Sequence, residues 1–269
     1  MTDAGGGAVN LSYSNGGGVQ STAMLCLVAS GDLPPGPFLF ANVGADSEHP
    51  DTLAYIANHA RPFAAAHGIE MVELHKARKG ERDTVRQALE RGRMVIPVRR
   101  SAGGPPMSRS CTAEFKIGVI GKELKRRGAT TDDPWRVCIG ISVDELERAK
   151  PGVDPRAPWQ VRTYPLLDLG LRRADCLAVI ADAGLPLPPK SSCFFCPFHS
   201  LETWRTLREK QPDLFAESVA IEAKMSAATT DGRPVFLTRY GVPLDQAVTV
   251  EQRLFDPDDD GCDEGFCMT

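Results

Sequence analysis

Two groups of residues in this chain have types and spacings that could do chemistry. The first is the stretch LSYSNGGGVQS, residues 11–21, in which a β-like alternation runs through Gly16, Gly17 and Gly18 straight into an apolar helical pattern. A strand that enters a helix through glycines has the geometry for an anion, with a tight turn that holds no ligand as the alternative. The backbone, free of Cβ atoms, can approach phosphate oxygens, while the first helical N–H groups and the positive end of the helix dipole face the charge. No Lys-Ser or Lys-Thr follows the glycines, so this is not a Walker-type loop, and Ser14, Gln20 and Ser21 are its polar side chains. The second group is KSSCFFCPFH, residues 190–199. Its C-x-x-C spacing brings the thiols of Cys193 and Cys196 close enough to share one metal or cluster, and Pro197 stiffens the turn.

The chain has eight cysteines. Its first residues show neither a basic region nor an apolar run of the secretory kind, so the expectation is a cytoplasmic protein whose cysteines serve metal binding or catalysis rather than a disulfide framework. Cys26, Cys138 and Cys176 sit inside apolar or helical patterns and read as packing residues. Cys111, Cys193, Cys196, Cys262 and Cys267 sit among Ser, Pro, Gly and Asp, as chemical thiols do. Cys262 and Cys267 are the candidate catalytic thiols, although Asp258, Asp259, Asp260 and Glu264 beside them should raise a thiol pKa and suit a nucleophile poorly. A ligand or resolving role for these two is an equal reading. Of the histidines, His49 lies in a loop that could face a ligand; His59, His67 and His75 have no partner spacing.

Those residues need a scaffold. Strand patterns at AVNLSYS, PFLFANV, EMVELHK, WRVCIGIS and WQVRTYPLLD alternate with helical patterns over about the first 185 residues, which predicts an α/β fold: a doubly wound, mostly parallel sheet with right-handed crossovers. The near-continuous apolar character of PFLFANV suits a strand buried on both faces. Beyond Pro188 the pattern changes to the cysteine loop, then helices through residues 201–225, then an acidic tail. The expected organisation is a nucleotide-type α/β domain over 1–188 and a helical C-terminal extension over 189–269. Net charge is −4, which gives no global reason to bind nucleic acid. A local basic stretch from Arg99 to Arg127 is the candidate surface for a nucleic-acid partner, with solvated helix and loop charges as the alternative. No apolar run reaches the length needed to span a bilayer.

The segment GGGVQS resembles the SGGxDS loop of the PP-loop ATP pyrophosphatase superfamily, with Gly16 for the first Ser and Gln20 for Asp. The neutral Gln20 is similar to the loop of the phosphoadenosine-phosphosulfate (PAPS) reductase branch. Other segments follow in the order of that superfamily. NVGADSEHPDTLAYI resembles the segment after its second strand, and SRSCTAEFKIGVI its Cys-then-Lys segment. GISVDELERA and YPLLDL are similar to its later nucleotide-site motifs, and KSSCFFCPFH to its closing C-x-x-C-P. The resemblance spans residues 11 to 199.

What the resemblance implies is an adenine nucleotide at the carboxyl edge of the sheet, either ATP with Mg²⁺ or APS/PAPS. Ser14, Gly16, Gly17, Gly18, Gln20 and Ser21 would meet phosphates, Asn42 and Gly44 would lie beside the adenosine, and Gly140 and Arg148 would belong to the later nucleotide segment. Asp144 and Glu145 would hold Mg²⁺ if the ligand is ATP, with an ordinary acidic helix start as the alternative. A [4Fe–4S] cluster on Cys111, Cys193 and Cys196 is implied, completed by Cys262 or Cys267 or left with one open iron. A zinc ion on those three thiols and His199 is one alternative, and a redox or purely structural C-x-x-C the other. The activity implied first is adenylation of a substrate with release of pyrophosphate, followed by sulfur transfer. The related substrates are tRNA bases and the DNA backbone, and a sulfur-donor protein is a possible partner. The second activity is reduction of a sulfonucleotide, against which stand the absence of an ECGxH tail and the single Cys111. The third is a nucleotide-binding module without turnover.

Overall fold

The structure, a computed structural model, describes residues 10–150 and 153–249. Five strands form one sheet: β1 (Leu11–Asn15), β2 (Phe38–Asn42), β3 (Met71–His75), β6 (Trp135–Cys138) and β7 (Gln160–Thr163), in the order β3-β2-β1-β6-β7. A separate two-stranded hairpin joins β4 (Ala77–Arg78) to β5 (Glu81–Arg82). β1 runs parallel to β2 with Tyr13 opposite Phe38, and parallel to β6 with Ser12 opposite Val137; β6 runs parallel to β7. Every residue of β1 and β2 is buried, as expected where crossovers cover both faces of a parallel sheet. Tyr13 and Phe38 stack at 4.6 Å, and the Tyr13 hydroxyl donates to the Pro34 carbonyl, so the phenol is buried without an orphaned oxygen. The same burial pushes the Tyr13 phenol well above its ordinary pKa.

From β1 the sheet grows to β2 and β3 on one side. The chain then returns to the other side of β1 to lay down β6 and β7. The order therefore reverses between β1 and β6, and in open parallel sheets that reversal leaves a crevice outside the carboxyl ends of the two strands.

By contact density the chain forms two compact units. Among the described residues, the first comprises 10–40, 55–74 and those between 120 and 188, and the second 41–54, 75–119 and 189–249. Residues 41–54 and 75–119 cluster with the C-terminal segment. The reason is a shared core: Val43, Val85, Val95, Val98 and Phe115 pack with Phe194, Phe195, Trp204 and Leu237. The first unit's core is Tyr13, Met24, Leu25, Leu27 and Phe38 with Leu166, Cys176 and Ile180. The helix Val19–Ser30 is buried from Val19 to Val28; it has no solvated face because the helix Arg173–Asp182 packs along it.

Three local features depart from the simple pattern. The helix beginning at Pro50 carries a π-helical segment at Ile56–Ala60. Pro62, with no N–H to give to the carbonyl four residues earlier, accounts for the loosened turn. A second π segment, Ala113–Ile117, lies between Ser110–Thr112 and Gly118–Arg126 in one helical run. Finally, WQVRTYPLLD is not one strand: β7 stops at Thr163, and Pro165 opens a short helix, Pro165–Asp168, at the position where a missing N–H is harmless. Among the described residues no helix is long and apolar enough to cross a membrane.

Candidate nucleotide and thiol sites

In the first unit β1 ends at Asn15, on the β1–β6 switch point. Asn15 Oδ1 accepts the Gly17 N–H at 2.9 Å, turning the chain sharply, and Gly17 takes φ 76°, a left-handed conformation that a side chain would strain. Gly18 follows in extended conformation and precedes the helix. Ser21 Oγ accepts the Gly18 N–H at 3.2 Å and donates to the Gly18 carbonyl at 3.0 Å. The N–H groups of Gly17 and Gly18 are thus used within the loop. Donors for an anion come from the first helical turn, Val19 to Ser21, whose N–H groups have no intrahelical acceptor.

The carboxyl end of β6 closes on this turn. A Cβ on Gly140 would fall 3.0 Å from Gln20 Cβ and 3.2 Å from Met24 Cε, so the approach of the two segments depends on glycine here. Gln20 is 9% exposed; its Oε1 lies 3.5 Å from Arg173 Nη1, and its buried Nε2 has no hydrogen-bond partner. Ser142 Oγ, two residues beyond Gly140, is also buried without a partner. An orphaned buried donor costs about 1–3 kcal/mol, so two of them in the segments flanking the crevice mark a place where a ligand or water completes the bonding. Arg148 and Glu145 form a buried ion pair at 2.7 Å within the 3₁₀ helix Val143–Arg148. Asp144 Oδ2 accepts the Arg173 N–H at 2.6 Å and its Oδ1 lies 3.6 Å from Arg172. The two carboxylates suggested for Mg²⁺ are therefore engaged with arginine side chains and backbone. They do not fit a metal site as they stand.

In the second unit Asn42 repeats at the end of β2 what Asn15 does at the end of β1, its Oδ1 accepting the Gly44 N–H at 2.8 Å. Gly44 has φ 119°, and a Cβ there would lie 2.5 Å from both Asp46 Oδ1 and Thr84 Cγ2. The loop after Gly44 pairs with the C-x-x-C segment. His49 N–H donates to Ser192 O, Phe194 N–H to Ser47 O, and Glu48 bridges Cys193 in antiparallel fashion. Cys196 N–H then returns to the Cys193 carbonyl at 3.1 Å, closing the turn. His49 Nδ1 accepts the Asp51 N–H at 3.2 Å at the start of its helix, and burial lowers the imidazole pKa.

Cys111 is held by its N–H on the Val95 carbonyl at 2.8 Å. With Cys193 and Cys196 it lines one cavity of about 30 Å³, together with Arg109, Thr112, Lys116 and the apolar Val43, Ile96 and Phe198. Lys116 is 6% exposed and comes from the π segment; the Arg109 guanidinium lies over the Phe198 ring. Cations beside thiols favour the thiolate. Three thiols converging on one cavity match an iron–sulfur cluster in donor type. Among the described residues, however, no group of three His, Cys, Asp or Glu is placed to hold a single metal ion. His199, the fourth ligand of the zinc alternative, has Nε2 at 2.8 Å from Ser192 Oγ and its ring against Trp204.

Cys26, Cys138 and Cys176 are buried, and burial raises each thiol to a pKa of about 11, as packing residues should be. Cys262 and Cys267 lie outside the described residues. Within the basic stretch, Arg126 and Arg127 pair with Glu123, Arg127 also with Glu70, and Arg100 with Asp231. Much of that charge is therefore neutralised internally. Sequence reasoning did not single out Arg109, Ser142 or Arg173, and it met Lys116 only as the Lys of the Cys-then-Lys segment; Arg109 stands two residues before Cys111, and Ser142 two residues after Gly140.

No protein-family model matches the sequence, and comparison with curated proteins found no match. Among solved structures, the chain is similar to the crystal structure of phosphoadenylyl-sulfate (PAPS) reductase from Candida auris in its phosphate complex. The identity is 14% and the TM-score 0.43, over 66% of this chain and 75% of that one. It is also similar to the U34-tRNA thiolase NcsA from Methanococcus maripaludis with its [4Fe–4S] cluster, at 16% identity and TM-score 0.45, over 85% of this chain and 74% of that one.

Proposed function

We propose that the chain is an adenine-nucleotide-dependent enzyme that activates a substrate by adenylation and serves sulfur transfer. The observation that carries the nucleotide half is the buried, unpartnered Gln20 Nε2 in the first turn after a glycine loop, at the switch point of a parallel sheet. In this reading the triphosphate lies along the N–H groups of Val19 to Ser21, with Ser14 and the loop glycines lining its path. A substrate oxygen attacks the α-phosphorus, the bond to the bridging oxygen breaks, and pyrophosphate leaves. A sulfur nucleophile then displaces AMP. Catalysis on the nucleotide side is orientation and charge stabilisation by fixed dipoles.

The thiol half rests on Cys111, Cys193 and Cys196 around one cavity with Arg109 and Lys116. These three would hold an iron–sulfur cluster, which supplies sulfide carriage or electron transfer when bound. The two cations hold negative charge on the thiolates and on an incoming anionic sulfur species. A nucleic-acid acceptor is part of the same proposal.

The test is anaerobic incubation of the full chain with ATP, Mg²⁺ and sulfide, with bulk tRNA as acceptor, following pyrophosphate and thiolated product. Acceptor-dependent pyrophosphate supports the reading, and nucleotide binding without any product leaves a binding module. A reductase reading is favoured by one feature, the pairing of thiols with cations in the cavity. Sulfite release from PAPS or APS with a dithiol reductant would establish it in place of adenylation.

A further inference from the structure

The glycine loop and the helix that follows carry no basic residue between Leu11 and Ser30, yet a di- or triphosphate brings several negative charges to it. Backbone dipoles and a neutral Gln20 would face that charge without a cation of their own. Around the β6 end, Arg148 is committed to Glu145 in a buried pair, and Arg172 faces Asp144. Arg173 differs from both. Its backbone N–H is anchored on Asp144 at the start of the helix Arg173–Asp182, while its guanidinium reaches Gln20 Oε1 at 3.5 Å. Among the described residues that guanidinium pairs with no carboxylate. It is exposed, and so open to a ligand. Gln20, nine-tenths buried, leaves Nε2 without a partner on the same side chain whose Oε1 Arg173 approaches.

We propose that Arg173 and Gln20 together form the specificity-determining contact for a polyphosphate, reading the pyrophosphate portion of the ligand rather than the nucleoside monophosphate. This rests on the nucleotide reading above and adds what that reading lacks, a cation supplied from the neighbouring helix. The division of labour follows from chemistry. The amide of Gln20 offers Nε2 as a neutral donor and uses Oε1 to orient the guanidinium. Arg173 then presents its remaining N–H groups to phosphate oxygens in the paired geometry that a guanidinium favours. A carboxylate at position 20 would pair with Arg173 and cancel that charge, which gives the neutral residue there a physical reason.

The test is equilibrium binding of ATP, ADP, AMP and inorganic pyrophosphate to the full chain and to Arg173→Ala, Arg173→Lys, Arg172→Ala and Gln20→Glu. Thermal melts should show each variant folded. For Arg173→Ala, loss of an exposed charge-assisted contact predicts ATP and pyrophosphate weakened by about tenfold or more, with AMP changed less than about twofold. Arg173→Lys should recover part of the loss, because the charge returns without the fork. Gln20→Glu should lose as much as Arg173→Ala, and Arg172→Ala should bind like the parent. Unchanged ATP and pyrophosphate affinity in Arg173→Ala, an equal loss for AMP, or an equal loss in Arg172→Ala would each overturn the inference while the parent still binds nucleotide. A parent chain that binds none of the four ligands would instead remove the nucleotide reading, and this inference with it.

Discussion

Glu222 lies on the helix Pro212–Ala227 and is 4% exposed. Oε2 accepts the Leu237 N–H at 2.9 Å and Oε1 the Leu244 N–H at 3.0 Å, so one side chain ties down two points of the segment that follows. Burial pushes its carboxyl up from 4.5 to about 7; the two N–H bonds pull the other way, and Asp245 adds to the rise. Between those values the folded chain holds a proton that the unfolded chain has released. Stability from this group is therefore full below about pH 4.5 and declines as pH rises through about 7. At 1.36 kcal/mol per pH unit the whole change amounts to about 3 kcal/mol. Glu222→Gln removes the titration. It also turns an amide nitrogen toward one of the two N–H groups, which costs about 1–3 kcal/mol in acid. Urea midpoints between pH 4.5 and 8 should fall with pH for the parent, stay flatter for the variant, and bring the two curves together near neutrality. Parallel curves across the range would refute the assignment of this pH dependence to Glu222.

Gly140→Ala should destabilise the chain by about 1–3 kcal/mol through overpacking, since the new methyl meets Gln20 and Met24; denaturant melts measure this, and unchanged stability would deny the close approach. Glu145→Gln should cost about 3–5 kcal/mol by leaving Arg148 buried without its carboxylate, a loss that the double variant Glu145→Gln with Arg148→Met should largely restore. Lys116→Met removes a buried cation from the thiol cavity. Alkylation of Cys111, Cys193 and Cys196, followed by mass spectrometry against pH, should shift to higher pH in that variant.

The parts of this architecture that could be read from sequence are those that local patterning controls. The strand-to-glycine-to-helix transition at 11–21 announces its turn because Asn15 and Gly17 are residues with a strong reason to be there. β2 announces itself by being apolar at nearly every position, and the packing cysteines by their apolar neighbours. Long-range packing left no such signal. That Val43, Val85 and Phe115 share a core with Trp204 depends on contacts far apart in sequence. Lys116 stood out only as the Lys of the Cys-then-Lys segment; its burial follows from the π segment and what packs there, which no local pattern carries. Asp144 and Glu145 had the composition of metal ligands, but Arg148 of their own segment and the start of the helix Arg173–Asp182 claim them first. The strand expected to continue through Tyr164 ended early because Pro165 suits a helix start better than a strand interior.

In the proposed function the loop at the β1–β6 switch point holds the phosphates of a nucleotide. Hydrogen exchange of the full chain with and without saturating ATP tests it most directly, because the donors named are backbone amides. Bound phosphates should slow exchange at Val19, Gln20 and Ser21 and at residues 139–142. Strands β3 and β7, away from the switch point in the sheet order, should be unchanged. Exchange at 19–21 that does not respond to saturating ATP, or that responds no more than the rest of the sheet, would contradict it.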